Sequence, residues 1–578
     1  MTRSLFKSGF TLSLLTLCSR VLGLLREMTK AALLGTTALS DAFSVAFLIP
    51  NLFRRLFAEG SISVAFIPIF KTYLIDAENA KTQADREETS IATKEFLSSI
   101  WTVISFFVSL VVGIGILCAP IIVKLFGMEE FDETVLLTRI MFPFLAFISI
   151  AAFFQGILNS VYVFLPSGMA PIILNIVTIA CAWLLSPYMK NPARAMAIGI
   201  LIGGFLEAAI QFPAVFKHLH LAAQGQSKRK IIFKWRGLKG ALQNRGTKNV
   251  LKLIGPTIIG MAAYQLNDLV STALASNAGE GIVSSLQYSL RLQELILGIF
   301  AVSIGTVLLP ELAEHAKTAN WKMYNLRLTN SIDIITLITV PVTFFSLVCG
   351  EEIVRLLFQS RLFDDQSVLL TKNVFIFHSL GIFFIALNRI LAPAFYAQND
   401  SVSPTIAGIV SFAINILLAT LLVKYFRGSG IAFALSVSAA INTIVLFYFL
   451  KRKTSYRTQF VGSKLQSSES QLQEDRQLKS ESKLKDEGQA LALMLLPRFL
   501  YLIKIIIFSC TAIAPLFLFK GTVITFFKNI NAVNKLIYIV LPLIIFLFVF
   551  LIITYILLLI TKDENIKFLK SIVKRKGR

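Results

Sequence analysis

The sequence predicts an all-α polytopic membrane protein of fourteen transmembrane helices: two pseudo-symmetric six-helix lobes followed by a carboxy-terminal helix pair. Three observations carry that reading. The 578 residues are 55% hydrophobic and only 15% charged, whereas a soluble chain of this size carries about a quarter charged residues. Apolar runs such as LIYIVLPLIIFLFVFLIITYILLLI, 536–560, exceed the roughly 20 residues that cross a bilayer. Fragments of the first half also recur at matching places in the second.

In chain order, apolar segments of spanning length fall at about 10–35, 41–72, 96–118, 134–157, 163–186, 194–216, 249–275, 283–311, 329–349, 370–394, 402–424, 429–450, 493–520 and 535–561. The second and eighth are long enough to tilt or to continue past the membrane surface. Leu17 before Cys18 does not suit a lipoprotein signal, and Arg20 and Arg26 follow at once without an A-x-A site, so the first segment is expected to be retained. The net charge of +23 collects in loops and tails. The stretch 217–248 holds nine Lys or Arg and no acid, and the tail ends KSIVKRKGR. With the amino terminus inside, these basic segments and the linker after 451 all fall on the cytoplasmic side, as the positive-inside rule requires. Loops GTTALS and SNAGEG, which lack Lys and Arg, fall outside. The charge is therefore topological, with contact to anionic membrane lipids and no nucleic-acid partner.

Residues 452–492 are rich in Ser, Gln and charge and are expected to be a flexible cytoplasmic linker. The domain plan is an N-lobe at 1–217, a basic cytoplasmic loop at 218–248, a C-lobe at 249–451, the linker at 452–492, a terminal helix pair at 493–562 and a basic tail at 563–578. The lobes look related. FFQGILNSVYVFLPSGMAPIILNI (153–176) carries Asn159 and Asn175 around Pro166, and APAFYAQNDSVSPTIAGIVSFAINI (392–416) carries Asn399 and Asn415 around Pro404, at the same separation. AEGSISVAFIPIF (58–70) aligns without gaps onto FAVSIGTVLLPEL (300–312). Repeated halves point to a transporter with its site near mid-depth at their interface.

Arginines inside spans need a reason, since each charge at mid-bilayer costs at least about 2.5–3.5 kcal/mol. CSRVLGLLREM holds Arg20 and Arg26, PNLFRRLFAEGS holds Arg54 and Arg55, and SLQYSLRLQELILGIF holds Arg291. Arg20 and Arg26 diverge by about 120° around a helix and about 9 Å along it. Helical spacing offers Glu59 to Arg55 at i+4 and Glu294 to Arg291 at i+3, but no acid to Arg26 or Arg54; Glu27 sits seven residues from Arg20. One account pairs each arginine with an acid of a neighbouring span, Glu27, Asp41, Glu59 or Asp268. The sharper account is a wet cavity that binds an anion, because guanidinium forks match phosphate oxygens bidentately.

SRVLGLLRE, DAFSVAFLIPNLFRRLFAEGSISVAFIP and LRLQEL…SIGTVLLPEL resemble the MviN/MurJ family of lipid II flippases, within the multidrug/oligosaccharidyl-lipid/polysaccharide exporter superfamily. The resemblance implies carriage of the undecaprenyl-pyrophosphate-linked disaccharide-pentapeptide from the inner to the outer leaflet of the bacterial cytoplasmic (inner) membrane, by alternating access, with both termini cytoplasmic. It assigns the pyrophosphate headgroup to Arg20, Arg26, Arg54 and Arg291, with Glu27, Asp41, Arg55 and Glu59 in support. Glu27 stands where the family often has aspartate. The terminal pair resembles helices that form a groove for the polyprenyl tail. Lipid II would be the partner of a monomer that needs no cofactor, and Asp268 is the candidate for a coupling Na+.

Two rival readings stand beside this one. A drug/cation antiporter of the same superfamily would line its cavity with acids rather than arginines. A polytopic enzyme acting on polyprenyl-linked sugars would need convergent acid, histidine or metal-ligand groups. The histidines, His218, His220, His315 and His378, form no ligand spacing beyond H-L-H, and the five cysteines (Cys18, Cys118, Cys181, Cys349, Cys510) form no C-x-x-C. The expected activity is transport, not catalysis.

Overall fold

The computed structural model describes residues 2–55, 62–222, 233–465, 474–530, 536–561 and 563, without side chains at 2–13, 62–64, 220–222, 255–264, 299–307, 453–465, 474–497 and 536. Among the described residues every regular element is helical: α1 (Thr2–Leu34), α2 (Ala38–Arg54), α3 (Ile62–Asn79), α4 (Gln83–Lys124), α5 (Phe131–Met141), α6 (Phe144–Ser160), α7 (Leu165–Leu185), α8 (Pro192–Ala222), α9 (Leu238–Gln243), α10 (Arg245–Ser276), α11 (Ile282–Lys317), α12 (Trp321–Phe358), α13 (Asp365–Leu380), α14 (Ile382–Tyr396), α15 (Val402–Leu465), α16 (Glu474–Ile530) and α17 (Leu541–Ile560), with single 3-10 and π turns at Ser186–Tyr188 and Leu536–Val540. Among the described residues eight helical stretches are long and apolar enough to cross a membrane, or nine if α13 and α14, bent by 42° at their junction, form one broken span. The arginines of the apolar segments fall on α1 (Arg20, Arg26), α2 (Arg54) and α11 (Arg291), and Asp268 falls on α10.

The chain divides into two compact units, one of residues 1–287 with 360–364 and the other of 288–359 with 365–578. In the first, α7 and α8 lie close because glycines leave room: a Cβ on Gly203 would sit 2.8 Å from Leu174 Cδ1, and one on Gly199 3.0 Å from Thr178 Cα. Small residues at such contacts let backbones approach where lipid supplies no hydrophobic drive. A second core is aromatic, with Phe66 stacked on Phe96 at 5.7 Å and Phe153 edge-on to Phe66 at 5.5 Å. One end of the unit is closed by tight backbone approaches. Gly281 has φ +77° and its Cβ would stand 2.4 Å from Thr36 O; Gly35 has φ +59° and its Cβ would stand 2.2 Å from Leu362 O. Gly281→Ala should therefore lose about 2–4 kcal/mol of stability through left-handed strain plus overlap with a backbone that cannot yield. Thermal unfolding in detergent reads this, with Gly113→Ala as control, since a Cβ there meets nothing within 4 Å. Equal melting of the two variants would refute it.

In the second unit the α13–α14 break falls at Gly381, and side chains take up the carbonyls it frees. Ser436 Oγ donates to Phe377 O at 2.6 Å and Gln293 Nε2 to His378 O at 2.5 Å, as interrupted helices in apolar surroundings require. Ion pairs fasten the terminal helices: Arg498 of α16 holds Asp333 of α12, Lys520 of α16 holds Glu352 of α12 at 2.8 Å, and Lys504 of α16 holds Asp563 at 2.6 Å.

Several boundaries differ from expectation. The segment 41–72 is described as α2 and α3, with 56–61, and Glu59 among them, outside the described residues. Helix continues through 402–465 with one non-helical residue, Arg427 (φ 47°, ψ −130°), between the two spans expected there. Of the proposed linker, 452–465 continue α15 and 474–492 begin α16, and residues 466–473 lie outside the described residues. Its Leu, Lys, Glu and Gln are strong helix formers. Both Asn-Pro-Asn fragments fold as helix, turn and helix, α6–α7 and α14–α15, and in both the second asparagine is buried.

Candidate functional site

α1 carries four of the charges, and three of them are almost fully enclosed: Arg26 and Glu27 are each 8% exposed and Lys30 is 2% exposed. Arg26 Nη2 lies 3.0 Å from Glu27 Oε1, so the expectation that spacing offers Arg26 no acid is corrected. A one-turn rule passes over the neighbouring residue, yet a long arginine can fold back onto it. The guanidinium also lies 5.5 Å from the centre of the Phe47 ring of α2. One turn on, Lys30 Nζ donates to Ser44 Oγ at 2.5 Å, and Ser44 Oγ donates to Ser40 O at 2.7 Å.

These contacts fix the register of α1 against α2. Lys30 meets Ser44 and Arg26 meets Phe47, so α1 and α2 run antiparallel from the turn that joins them. Arg54 Nε donates to Asn51 Oδ1 at 2.8 Å, which orients its planar fork. Beside Arg20, Asn175 Nδ2 of α7 donates to Ser19 O at 3.3 Å and to Pro171 O at 3.0 Å, pinning α1 there.

Arg55 reaches another helix. Its Nη1 lies 3.5 Å from both Gln265 Oε1 and Asp268 Oδ2 of α10. Asp268 is thus the ion-pair partner of an arginine on a neighbouring helix, one of the two roles its sequence position allowed. Among the described residues no group of three or more His, Cys, Asp or Glu is placed to hold a metal ion. In the second unit, Arg291 Nη1 meets Glu294 Oε2 at 3.1 Å, the i+3 pair that spacing expects.

Asp41, 4% exposed, is not an arginine partner. Its Oδ2 accepts from Gly281 N at 2.8 Å, and its Oδ1 accepts from Ser284 N at 2.7 Å and Ser284 Oγ at 2.6 Å. A carboxylate from the first turn of α2 thus caps the first turn of α11, whose leading N–H groups have no intrahelical acceptor. Glu280 Oε1 returns the arrangement by accepting from Ala38 N at 2.8 Å. Sequence reasoning passed over Lys30, Ser44 and Glu280. A lysine ten residues beyond Arg20 in the same apolar run was the available signal; Glu280, in a loop, gave none.

Comparison with known proteins comes to the same place. A family profile described as lipid II flippase MurJ matches residues 30–468. The chain is 47% identical over 450 residues to a probable lipid II flippase MurJ of Treponema pallidum, covering 78% of this chain and 82% of that protein. It is 31% identical over 465 residues to the lipid II flippase MurJ of Burkholderia cenocepacia, covering 78% and 85%. Its fold resembles a solved lipid II flippase MurJ in an inward closed conformation (TM-score 0.62, 24% identity, 86% of this chain and 97% of that one). An inward-facing multidrug resistance MATE family transporter also shares the fold (TM-score 0.57, 12% identity, 76% and 95%).

Proposed function

We propose, from the premise that the chain belongs to the MurJ family of lipid II flippases, that its arginines serve as the receptor for the substrate's pyrophosphate. The chain is a lipid II flippase: a transporter of the peptidoglycan precursor and not an enzyme, resident in the bacterial inner membrane. In this reading fourteen spans form two six-helix lobes and a terminal pair, both termini are cytoplasmic, and a monomer carries lipid II from the inner to the outer leaflet by alternating access. Arg20, Arg26, Arg54 and Arg291 bind the diphosphate, Glu27 and Asp41 hold the supporting geometry, and α16–α17 carry the polyprenyl tail. Arg55 and Glu59 complete the rim.

The observation that supports this proposal is the excess of cations on α1 and α2: over 10–54, Arg20, Arg26, Lys30 and Arg54 stand against two acids, Glu27 and Asp41, and Arg26 and Lys30 are almost fully enclosed. Guanidinium forks suit the several oxygens of a diphosphate, because each fork can give two parallel hydrogen bonds. Neutral or cationic drugs would gain nothing from that pattern.

Reconstitution into liposomes with fluorescent lipid II tests the reading. Transfer to the outer leaflet is expected with the protein and absent without it, and free pyrophosphate should inhibit it. Sodium coupling through Asp268 is tested in the same vesicles. If Asp268 binds Na+, an imposed sodium gradient accelerates transfer several-fold and Asp268→Asn removes that acceleration; a gradient without effect on the unaltered protein would discard the role.

A further inference from the structure

The basic segment after α8 does more than mark the cytoplasmic side. Its last part, 233–237, is an extended strap laid along α4. Phe233 anchors it, with its ring 5.3 Å from Trp101, 5.6 Å from Phe153 and 5.9 Å from Phe216, centre to centre. Beyond the anchor, Lys234 N donates to Ser98 Oγ at 3.4 Å and Arg236 N donates to Thr102 Oγ1 at 3.1 Å. Two residues of extended chain advance about 6.6–6.8 Å and one i, i+4 step of helix advances about 6 Å, so alternate strap amides meet successive α4 hydroxyls. Arg236 closes the clamp on Glu95 at 3.1 Å. Gly237, at φ +73°, then turns the chain into α9, whose Ala241 is buried.

This docking leaves Trp235 outward, 58% exposed, between Lys234 and Arg236. Lys239 of α9 and Lys248 and Lys252 of α10 are exposed as well. Residues 233–254 contain six Lys or Arg and no acid. Depth is fixed by the anchor points, since Ser98 and Thr102 occupy the first turns of the apolar stretch of α4 that begins near 96. At that level lie lipid phosphates and glycerol, where tryptophan is enriched because its ring is apolar and its N–H is polar. A solvated loop would not hold an indole outward at that depth on a clamped backbone.

We propose that the strap 233–237, with α9 and the start of α10, is a binding surface for anionic phospholipid headgroups, with Trp235 in the glycerol region and Lys234, Lys239 and Lys248 on the phosphates. Each basic residue near such a surface contributes enough to change lipid retention about five-fold.

The test is tryptophan quenching in the full-length protein, reconstituted in vesicles containing either brominated phosphatidylglycerol or brominated phosphatidylcholine at equal mole fraction. Stronger quenching by the anionic lipid is expected, and Trp235→Phe should remove most of the difference although three other tryptophans remain. Lys234→Gln and Lys239→Gln should each reduce the preference about five-fold, and 0.5 M salt should reduce it in the unaltered protein. Equal quenching by the two lipids, or a preference that survives Trp235→Phe and both lysine variants, would overturn the assignment.

Discussion

Arg54→Ala is expected to stop transfer of lipid II in proteoliposomes, a fall on the order of 10²–10⁴-fold, while the protein accumulates in the membrane at near-normal levels. The magnitude follows from losing two charge-assisted hydrogen bonds to a diphosphate, each worth about 1.5–3 kcal/mol. The selectivity for transport follows from position. Arg54 ends α2 and is only partly buried, and the contact that orients it, Nε to Asn51 Oδ1 at 2.8 Å, lies on the same helix. A half-buried position at a helix end limits what truncation costs the fold. Arg54→Lys keeps the charge but not the planar fork, so a residual rate between the two is expected. Arg26→Ala makes an instructive contrast. Glu27, 8% exposed, would lose a partner at 3.0 Å, so that variant should lose stability as well as transport. Arg54→Ala protein with full transport would take Arg54 out of the site.

Asp41→Ala should cost about 3–5 kcal/mol of stability, the range for removing one partner of a buried charge network. Its carboxylate takes three hydrogen bonds from Gly281 and Ser284, so its loss leaves the amides of Gly281 and Ser284, at the start of α11, without this acceptor. It also interacts electrostatically with Lys30, which is 2% exposed. An ammonium enclosed to that degree and stripped of a nearby negative charge is strongly unfavourable. Asp41→Asn keeps an acceptor oxygen and should fall about midway. Lys30→Met added to Asp41→Ala should restore part of the loss, because the enclosed ammonium goes with its counter-charge. Thermal unfolding of purified protein in detergent reads all three; a melting temperature for Asp41→Ala like that of the parent would show that the cap carries no load.

The sequence carried what depends on a residue and its own helix. Run length and apolarity gave the membrane class and the helical fold, because a backbone in lipid must bond to itself. The i+3 spacing gave the Arg291–Glu294 pair, and arginines in apolar runs gave Arg20, Arg26 and Arg54 as residues needing a reason. Helix ends were less legible: helix runs through 452–465 and 474–492, because hydropathy measures burial and helix formation does not require it.

Periodicity says which residues share a face, never which helix will lie across from it. Only the assembled chain could show that Asp41 closes the start of a helix about 240 residues away, that Asp268 answers Arg55 across two helices, or that Phe233 is driven into a cluster of rings while Trp235 is left facing outward. The charges and their chemistry are written in the order of residues. Their partners are chosen by packing, since in an apolar bundle each buried polar atom must be met by whichever neighbour the fold brings within reach.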